Sequence, residues 1–283
     1  MTKKPKKSLG QNFLKAQSVV DKIVETANLN TKDTVLEVGP GKGILTESLL
    51  KKAGKVISVE KDAELIPFLK EKFKKEIKSG KLILVNGDIL TFNFQLYKLS
   101  NFKIVANIPY YITGEFLRKT LSSDIQPSQM VLLVQKEVAE RIAKSKKESI
   151  LSISVKAYGE PKYIQTVKAG NFTPSPKVDS AILAINNISK KFFTSNKKGL
   201  SFFQKKDSPF LSVEDKFFEV VKTGFAHKRK FLISNLEKCG HPTPTPDFKE
   251  ILKKAFKQAK IEERARAEEV KLDQWGQLVA RFL

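Results

Sequence analysis

The stretch TVLEVGPGKGILTESLLKKAG, residues 34–54, decides the fold. Thr34–Val38 is a short apolar run with the composition of a buried strand. Gly39-Pro40-Gly41-Lys42-Gly43 is a turn, and residues 44–54 carry the apolar spacing of an amphipathic helix. Strand, glycine turn and helix in that order open a βαβ unit whose turn lets backbone approach a ligand closely. Working outward, VISVE (56–60), LILVN (82–86), KIVAN (103–107) and MVLLVQ (130–135) read as further buried strands. Helices are expected at 62–78, 113–121 and 136–143. This alternation predicts an α/β domain with a mostly parallel sheet covered on both faces. LSISVKAYG (151–159), KYIQTVKAG (162–170) and DSAILAINN (179–187) read as antiparallel strands added to the sheet. Past residue 187 the composition changes. The segment 190–212 is basic, aromatic and irregular, and reads as a loop or linker with phenylalanine anchors. Helical spacing marks 213–226, 228–238, 246–258 and 270–282. The expected organisation is therefore an α/β domain over 1–187 and a small all-helical domain over 188–283.

The chain has 283 residues, is 41% hydrophobic and carries a formal net charge of +22. Such an excess of cations favours polyanions through counterion release, and nucleic acid before an acidic lipid surface, because no basic amphipathic helix has a strongly apolar face. No run of about 18 apolar residues suggests a membrane span, and the basic N-terminus is followed by no apolar signal region. Cys239 is the only cysteine, so no intrachain disulfide forms and the cytoplasm is the expected compartment. His227 and His241 lack cysteine or acidic partners at ligand spacing, so no metal is expected.

Three strand ends carry groups suited to a nucleoside. The glycine turn follows the first strand. Glu60 closes the second, where an acid accepts hydrogen bonds from ribose hydroxyls, and Asp88 follows the third, able to accept from an adenine amine. The order Gly-x-Gly-x-Gly departs from the dinucleotide fingerprint, and Gly43 after Lys42 excludes a phosphate-binding P-loop. S-adenosylmethionine, with adenosine and no phosphate, fits better. Glu37 orients either its amino group or the loop. The fourth strand ends in Asn107-Ile108-Pro109-Tyr110, which reads as a simple turn or as a device for adenine N6. The Asn107 side-chain oxygen and a backbone carbonyl at Ile108 or Pro109 would accept the N6 hydrogens, and Tyr110 offers a stacking face. Tyr110 and Tyr111 are also candidates for packing under the sheet edge, and Phe172 for an ordinary core aromatic.

Asn-Ile-Pro-Tyr resembles the Asn-Leu-Pro-Tyr motif of RNA adenine N6,N6-dimethyltransferases. KKSLGQNFL (6–14) is similar to that family's N-terminal signature, and NFTPSPKVDSAIL (171–183) to its Phe-x-Pro-x-Pro-Lys-Val-Asp-Ser segment. FAHKRKFLISNL (225–236) resembles the basic segment of the small-subunit rRNA enzymes, the KsgA type, and separates the chain from the erythromycin-resistance methylases. The resemblance implies a class I methyltransferase: a Rossmann-like, seven-stranded, mostly parallel sheet with a helical C-terminal domain. It implies S-adenosyl-L-methionine as cofactor, held by Asn12, Leu14, Gly39, Gly41, Glu60, Asp88 and Asn107. The catalytic set would be Asn107, Pro109, Tyr110 and Phe172, with Phe172 stacking on the target adenine. Lys228, Arg229 and Lys230 would meet RNA, or form an ordinary solvated helix face. The implied reaction is dimethylation of two adjacent adenosines near the 3′ end of 16S rRNA, in a pre-assembled ribosomal particle, by a cytoplasmic monomer. The alternatives are a large-subunit rRNA adenine methylase and a non-catalytic assembly or transcription factor on the same fold. Three departures from the family pattern stand out: Ile108 for Leu, Glu148-Ser149-Ile150 in the usual Tyr-Gly-x-Leu-Ser, and His227-Lys228 for Gln-Arg.

Overall fold

The computed structural model describes residues 5–6, 9–97, 99–195, 212–237 and 246–282. The chain divides into two compact units, Met1–Ala143 with Gly159–Ile188, and Lys144–Tyr158 with Ser189–Leu283.

In the first unit the strands are β1 (Phe13–Leu14), β2 (Thr34–Val38), β3 (Lys55–Glu60), β4 (Leu82–Asn86), β5 (Lys103–Asn107), β6 (Gln129–Gln135), β7 (Glu160–Val167), β8 (Phe172–Thr173) and β9 (Ser180–Asn186). Seven of them form one sheet in the order β4-β3-β2-β5-β6-β9-β7. β2 through β6 pair in parallel, and β9 runs antiparallel between β6 and β7. Central strands such as Ile104–Ala106 and Met130–Val134 are buried throughout, as a sheet covered on both faces requires. Its helices are α1 (Gln17–Ala27), α2 (Ile44–Lys52), α3 (Ile66–Lys72), α4 (Lys74–Lys78), α5 (Thr113–Ser122) and α6 (Lys136–Ala143). Strand order reverses between β2 and β5, and the crevice at that switch point, beyond the carboxyl ends of the strands, is where open α/β sheets bind ligands.

α1 was not among the predicted elements. It buries Val19, Val20, Ile23, Val24 and Ala27 along one stripe. Its last turn is held by Lys103, whose Nζ donates to the carbonyls of Ala27 and Asn28 and pairs with Asp33 at 3.1 Å. A cation there satisfies orphan carbonyls and opposes the helix dipole. The single helix expected at 62–78 is two, α3 and α4, broken at Phe73, which adopts φ −113°. The Phe73 ring is buried, and a Cβ on Gly43 would sit 2.6 Å from it. That ring therefore occupies the space that only a glycine leaves free.

The strand expected at 151–159 is a helix, α7 (Ile150–Tyr158). Alternating apolar residues suggested a period of two, but a cap and burial on nearly every side override that pattern. The Ser149 Oγ accepts from the Ser152 N–H at 3.1 Å, and the Ser152 Oγ accepts from the Ser149 N–H at 2.7 Å. This is a reciprocal N-terminal box. Glu148 adds to it, accepting from the Ser152 hydroxyl and pairing with Lys156 at 2.6 Å. The Glu148-Ser149 departure from the family pattern thus starts a helix. The remaining helices of the second unit are α8 (Lys191–Ser195), α9 (Val213–Gly224), α10 (Leu232–Leu236), α11 (Pro246–Gln258) and α12 (Leu272–Phe282). The helix expected over 228–238 is shortened to α10, and Lys228–Lys230 lie in the turn before it. Trp275, Phe256, Leu232 and Leu236 are fully buried at the centre of this unit. Residues 196–211 of the basic segment lie outside the described residues, as do Cys239 and His241. Among the described residues, no helix is long and apolar enough to cross a membrane.

Gly39 and Gly43 both have positive φ, +66° and +75°, but nothing lies within 4 Å of a Cβ on Gly39. Gly39→Ala should therefore cost only the backbone strain, about 1 kcal/mol. Gly43→Ala adds the collision with Phe73 and should cost about 3 kcal/mol. Urea unfolding midpoints of the two variants check this, and equal losses would contradict it.

Candidate active site

The carboxyl ends of β2 to β5, the loop before β1 and the turn after β5 line one cavity. It holds about 750 Å³ of space, open solvent at its mouth included. The structure brings together Asn12, Gly39, Gly41, Glu60, Asp88, Asn107, Pro109 and Tyr110 along its walls. Leu14 and Phe172 are not among the lining residues. They pair as partners in the β1–β8 ladder and are buried in the hydrophobic core, Phe172 to 2% exposure.

Each wall group has a distinct role. Glu60 ends β3 and is buried. Its Oε2 accepts from the Gly41 N–H at 3.1 Å and its Oε1 from the Asp62 N–H at 2.8 Å. Burial pushes its carboxyl up, and those N–H donors oppose the rise. Each oxygen retains a lone pair for a further donor. Asp88 follows β4, pairs with Lys61 at 2.8 Å and caps the 3₁₀ turn Ile89–Thr91 through the Leu90 N–H. The Lys61 ammonium holds its carboxyl below the usual carboxylate range.

Asn107 ends β5. Its Nδ2 donates to the Asn12 carbonyl at 3.1 Å. A carbonyl only accepts, so the amide nitrogen must face Asn12, which turns Oδ1 the opposite way. Tyr110 is half-buried, with its hydroxyl 2.6 Å from the Ser180 Oγ. Burial pushes that phenol up. The carbonyl of Pro109 accepts from the Ile112 N–H at 3.2 Å, closing the turn into α5.

Four supporting groups escaped the sequence reading. Ser180 anchors Tyr110, and its signal was its place in the Val-Asp-Ser segment. Its neighbour Asp179 caps the loop at Ala169 and pairs with Lys168. Lys6 and Gln11 converge on Asp62, at 2.8 Å and 2.9 Å, and clamp the N-terminal segment beside the cavity. Lys6 thus makes a defined contact, while Lys3, Lys4 and Lys7 lie outside the described residues. Lys228, Arg229 and Lys230 are exposed. The turn that carries them is held from below by Asn235, whose Nδ2 donates to the carbonyls of Gly224 and His227 at 2.7 and 3.2 Å. Among the described residues, no group of three or more His, Cys, Asp and Glu side chains could hold a metal ion.

Glu37 does not line the cavity. Its Oε2 accepts from the hydroxyls of Thr46 on α2 and Ser58 on β3, at 2.8 and 2.6 Å, so it ties together the elements behind the glycine turn. Of its two expected roles, this geometry supports orienting the loop. Its Oε1 is buried without a partner. Burial pushes the carboxyl up to about 7, with the Ser58 and Thr46 hydroxyls opposing. An unfolded Glu titrates at about 4.3. The folded chain thus holds this proton more tightly, and stability falls as pH rises from about 4.3 to about 7, then stays level. The full cost is about 4 kcal/mol. Glu37→Gln should remove this part of the fall. Urea midpoints at pH 5 and pH 8 test it, and an equal fall in both proteins would contradict it.

Comparison with known proteins places this geometry among relatives. A family model described as ribosomal RNA adenine dimethylase matches residues 2–282. The chain is 38% identical to a protein of Dehalococcoides mccartyi named ribosomal RNA small subunit methyltransferase A, covering 99% of this chain and 89% of that one. It is 36% identical to a protein of the same name in Fusobacterium nucleatum, covering 99% and 98%. Among solved structures, a dimethyladenosine transferase from Plasmodium falciparum aligns with a TM-score of 0.74 at 26% identity, over 94% of this chain and 95% of that one. The 23S rRNA methyltransferase ErmE aligns with a TM-score of 0.70 at 26% identity, over 96% and 99%. The fold is that of class I methyltransferases, and the chain belongs to the ribosomal RNA adenine dimethylase family.

Proposed function

We propose that this enzyme transfers methyl groups from S-adenosyl-L-methionine to N6 of two adjacent adenosines near the 3′ end of small-subunit rRNA, within a pre-assembled ribosomal particle. The observation that carries the reading is the Asn107 amide, pinned through its nitrogen so that its oxygen is left to accept. Closely similar relatives are named for the small subunit, at 38% and 36% identity. ErmE, named for 23S rRNA, stands at 26%. This favours the small subunit over the large.

The wall residues suit the cofactor. The open space over Gly39 leaves room for a ligand against bare backbone. Glu60 and Asp88 supply acceptors for ribose hydroxyls and an adenine amine. S-adenosylmethionine supplies, when bound, an electrophilic methyl on a sulfonium. The acceptor nitrogen is a poor nucleophile because its lone pair is delocalised into the purine. The Asn107 Oδ1 accepts one N6 hydrogen, and a backbone carbonyl accepts the other. The Pro109 carbonyl already serves the Ile112 N–H, which favours the Ile108 carbonyl for this task. Gripped so, the amine turns its lone pair out of the ring plane toward the methyl. Tyr110, fixed by Ser180, offers the base its face. Positioning then supplies most of the rate, and the departing N6 proton leaves to solvent. After one transfer a single N6 hydrogen remains, so one of the two acceptors must then tolerate a methyl. An adenine in structured RNA must leave its stack to reach this cavity.

Phe172 is assigned a supporting role in packing β8 against β1. Phosphate contact is assigned to Lys228, Arg229 and Lys230. The enzyme is taken to act as a cytoplasmic monomer.

Undermethylated small subunits incubated with labelled cofactor should yield N6,N6-dimethyladenosine on nucleoside digestion, with reverse-transcription stops at the paired sites. Stops in large-subunit rRNA, or binding without turnover, would contradict the reading. Asn107→Ala should lower methyl transfer at least a hundredfold while weakening S-adenosylhomocysteine binding far less. Equal losses in the two measurements would remove its catalytic role. Replacing Lys228, Arg229 and Lys230 together by Ala should weaken subunit binding and lower the salt dependence of log K by about 2. An unchanged slope would show that the turn does not meet phosphate.

A further inference from the structure

Two tyrosines follow Pro109, and the structure treats them differently. Tyr110 is half-buried and bonded to Ser180. Tyr111 also lines the cavity, yet it is 58% exposed. A single exposed aromatic needs no explanation on its own. This one stands at the cavity wall with one side of its ring against bare backbone. A Cβ on Gly10 would lie 3.2 Å from Tyr111 Cδ1, and Gly10 has φ +60°, where other residues are strained. The glycine thus fits the close seat of the ring. Lys61, half-exposed in the same lining, pairs with Asp88 at 2.8 Å.

An exposed aromatic ring set close to a glycine, in a cavity wall that also carries an ammonium, has the chemistry of a single-stranded nucleotide site: the ring takes a base and the cation a phosphate. We infer that Tyr111 is a substrate-positioning residue, the stacking platform for a nucleotide flanking the target adenine, with Lys61 serving its phosphate. This inference rests on the reading of the cavity as an RNA methylation site and adds a second stacking position beside Tyr110. A flipped adenine leaves its neighbours without a stacking partner. A fixed ring at the rim replaces that partner and holds the strand open, so Tyr111 contributes to RNA affinity and leaves the chemical step to Asn107.

The test compares wild type, Tyr111→Ala and Tyr111→Trp. Methyl transfer to undermethylated small subunits is measured at saturating S-adenosylmethionine, with RNA retention on filters and S-adenosylhomocysteine affinity by calorimetry. Tyr111→Ala should raise KM for the subunit about tenfold, with kcat within twofold and the calorimetric affinity unchanged. Tyr111→Trp should restore KM. A KM within twofold of wild type in the Ala variant would overturn the inference. So would a loss that appears equally in S-adenosylhomocysteine binding, which would place the ring over the cofactor. If wild type transfers no methyl, the proposed function fails by itself. Weaker filter retention of RNA by Tyr111→Ala would still support the stacking role, and unchanged retention would overturn it.

Discussion

The arrangement of the site depends on one hydrogen bond, from the Asn107 amide nitrogen to the Asn12 carbonyl. It joins the segment before β1 to the end of β5 across 95 residues of sequence. It also decides which end of a symmetric-looking amide is available. Without it the carboxamide could rotate, and an N–H pair directed at an amine would repel rather than grip it. The N-terminal segment is in turn held by the Asp62 clamp on one side and the β1–β8 ladder on the other. The orientation proposed for catalysis is thereby built from backbone and neighbouring side-chain contacts, so that little entropy would be lost at the moment of reaction.

The buried acids work in the same direction. Glu37 and Glu60 lie on adjacent strands behind and beside the glycine turn, Glu37 engaging protein donors through Oε2 alone and Glu60 through both oxygens. Glu37 ties α2 to β3, and Glu60 ties the turn to the start of the next loop. Both carboxyls are shifted upward by burial, so the sheet edge carries a cost in stability to hold the glycine turn in shape. Such costs concentrate at sites of function.

Much of this was legible in the residues. The buried strands, the glycine turn and the acids at successive strand ends were readable because a parallel sheet makes its strands apolar runs and places the ligand groups at their carboxyl ends. Asn107 and Tyr110, both in the cavity lining, were singled out by the abrupt end of an apolar strand in polar and aromatic residues. What escaped depends on distant contacts. Residues 151–159 alternate like a strand, and only burial around the whole segment and the Ser149–Ser152 box make them a helix. The break at Phe73 comes from a ring that fills the space beside Gly43, 30 residues away in sequence. Phe172 carries a motif position, yet its place in the core follows from pairing with Leu14. The clamp of Lys6 and Gln11 on Asp62 has no local pattern at all.

The central claim is geometric, and a crystal structure with S-adenosylhomocysteine and an adenosine-containing RNA fragment tests it most directly. The Asn107 Oδ1 should lie within about 2.7–3.2 Å of the adenine N6, with its Nδ2 still on the Asn12 carbonyl. An N6 more than about 4 Å from that oxygen, or an amide turned to present its nitrogen, would contradict it.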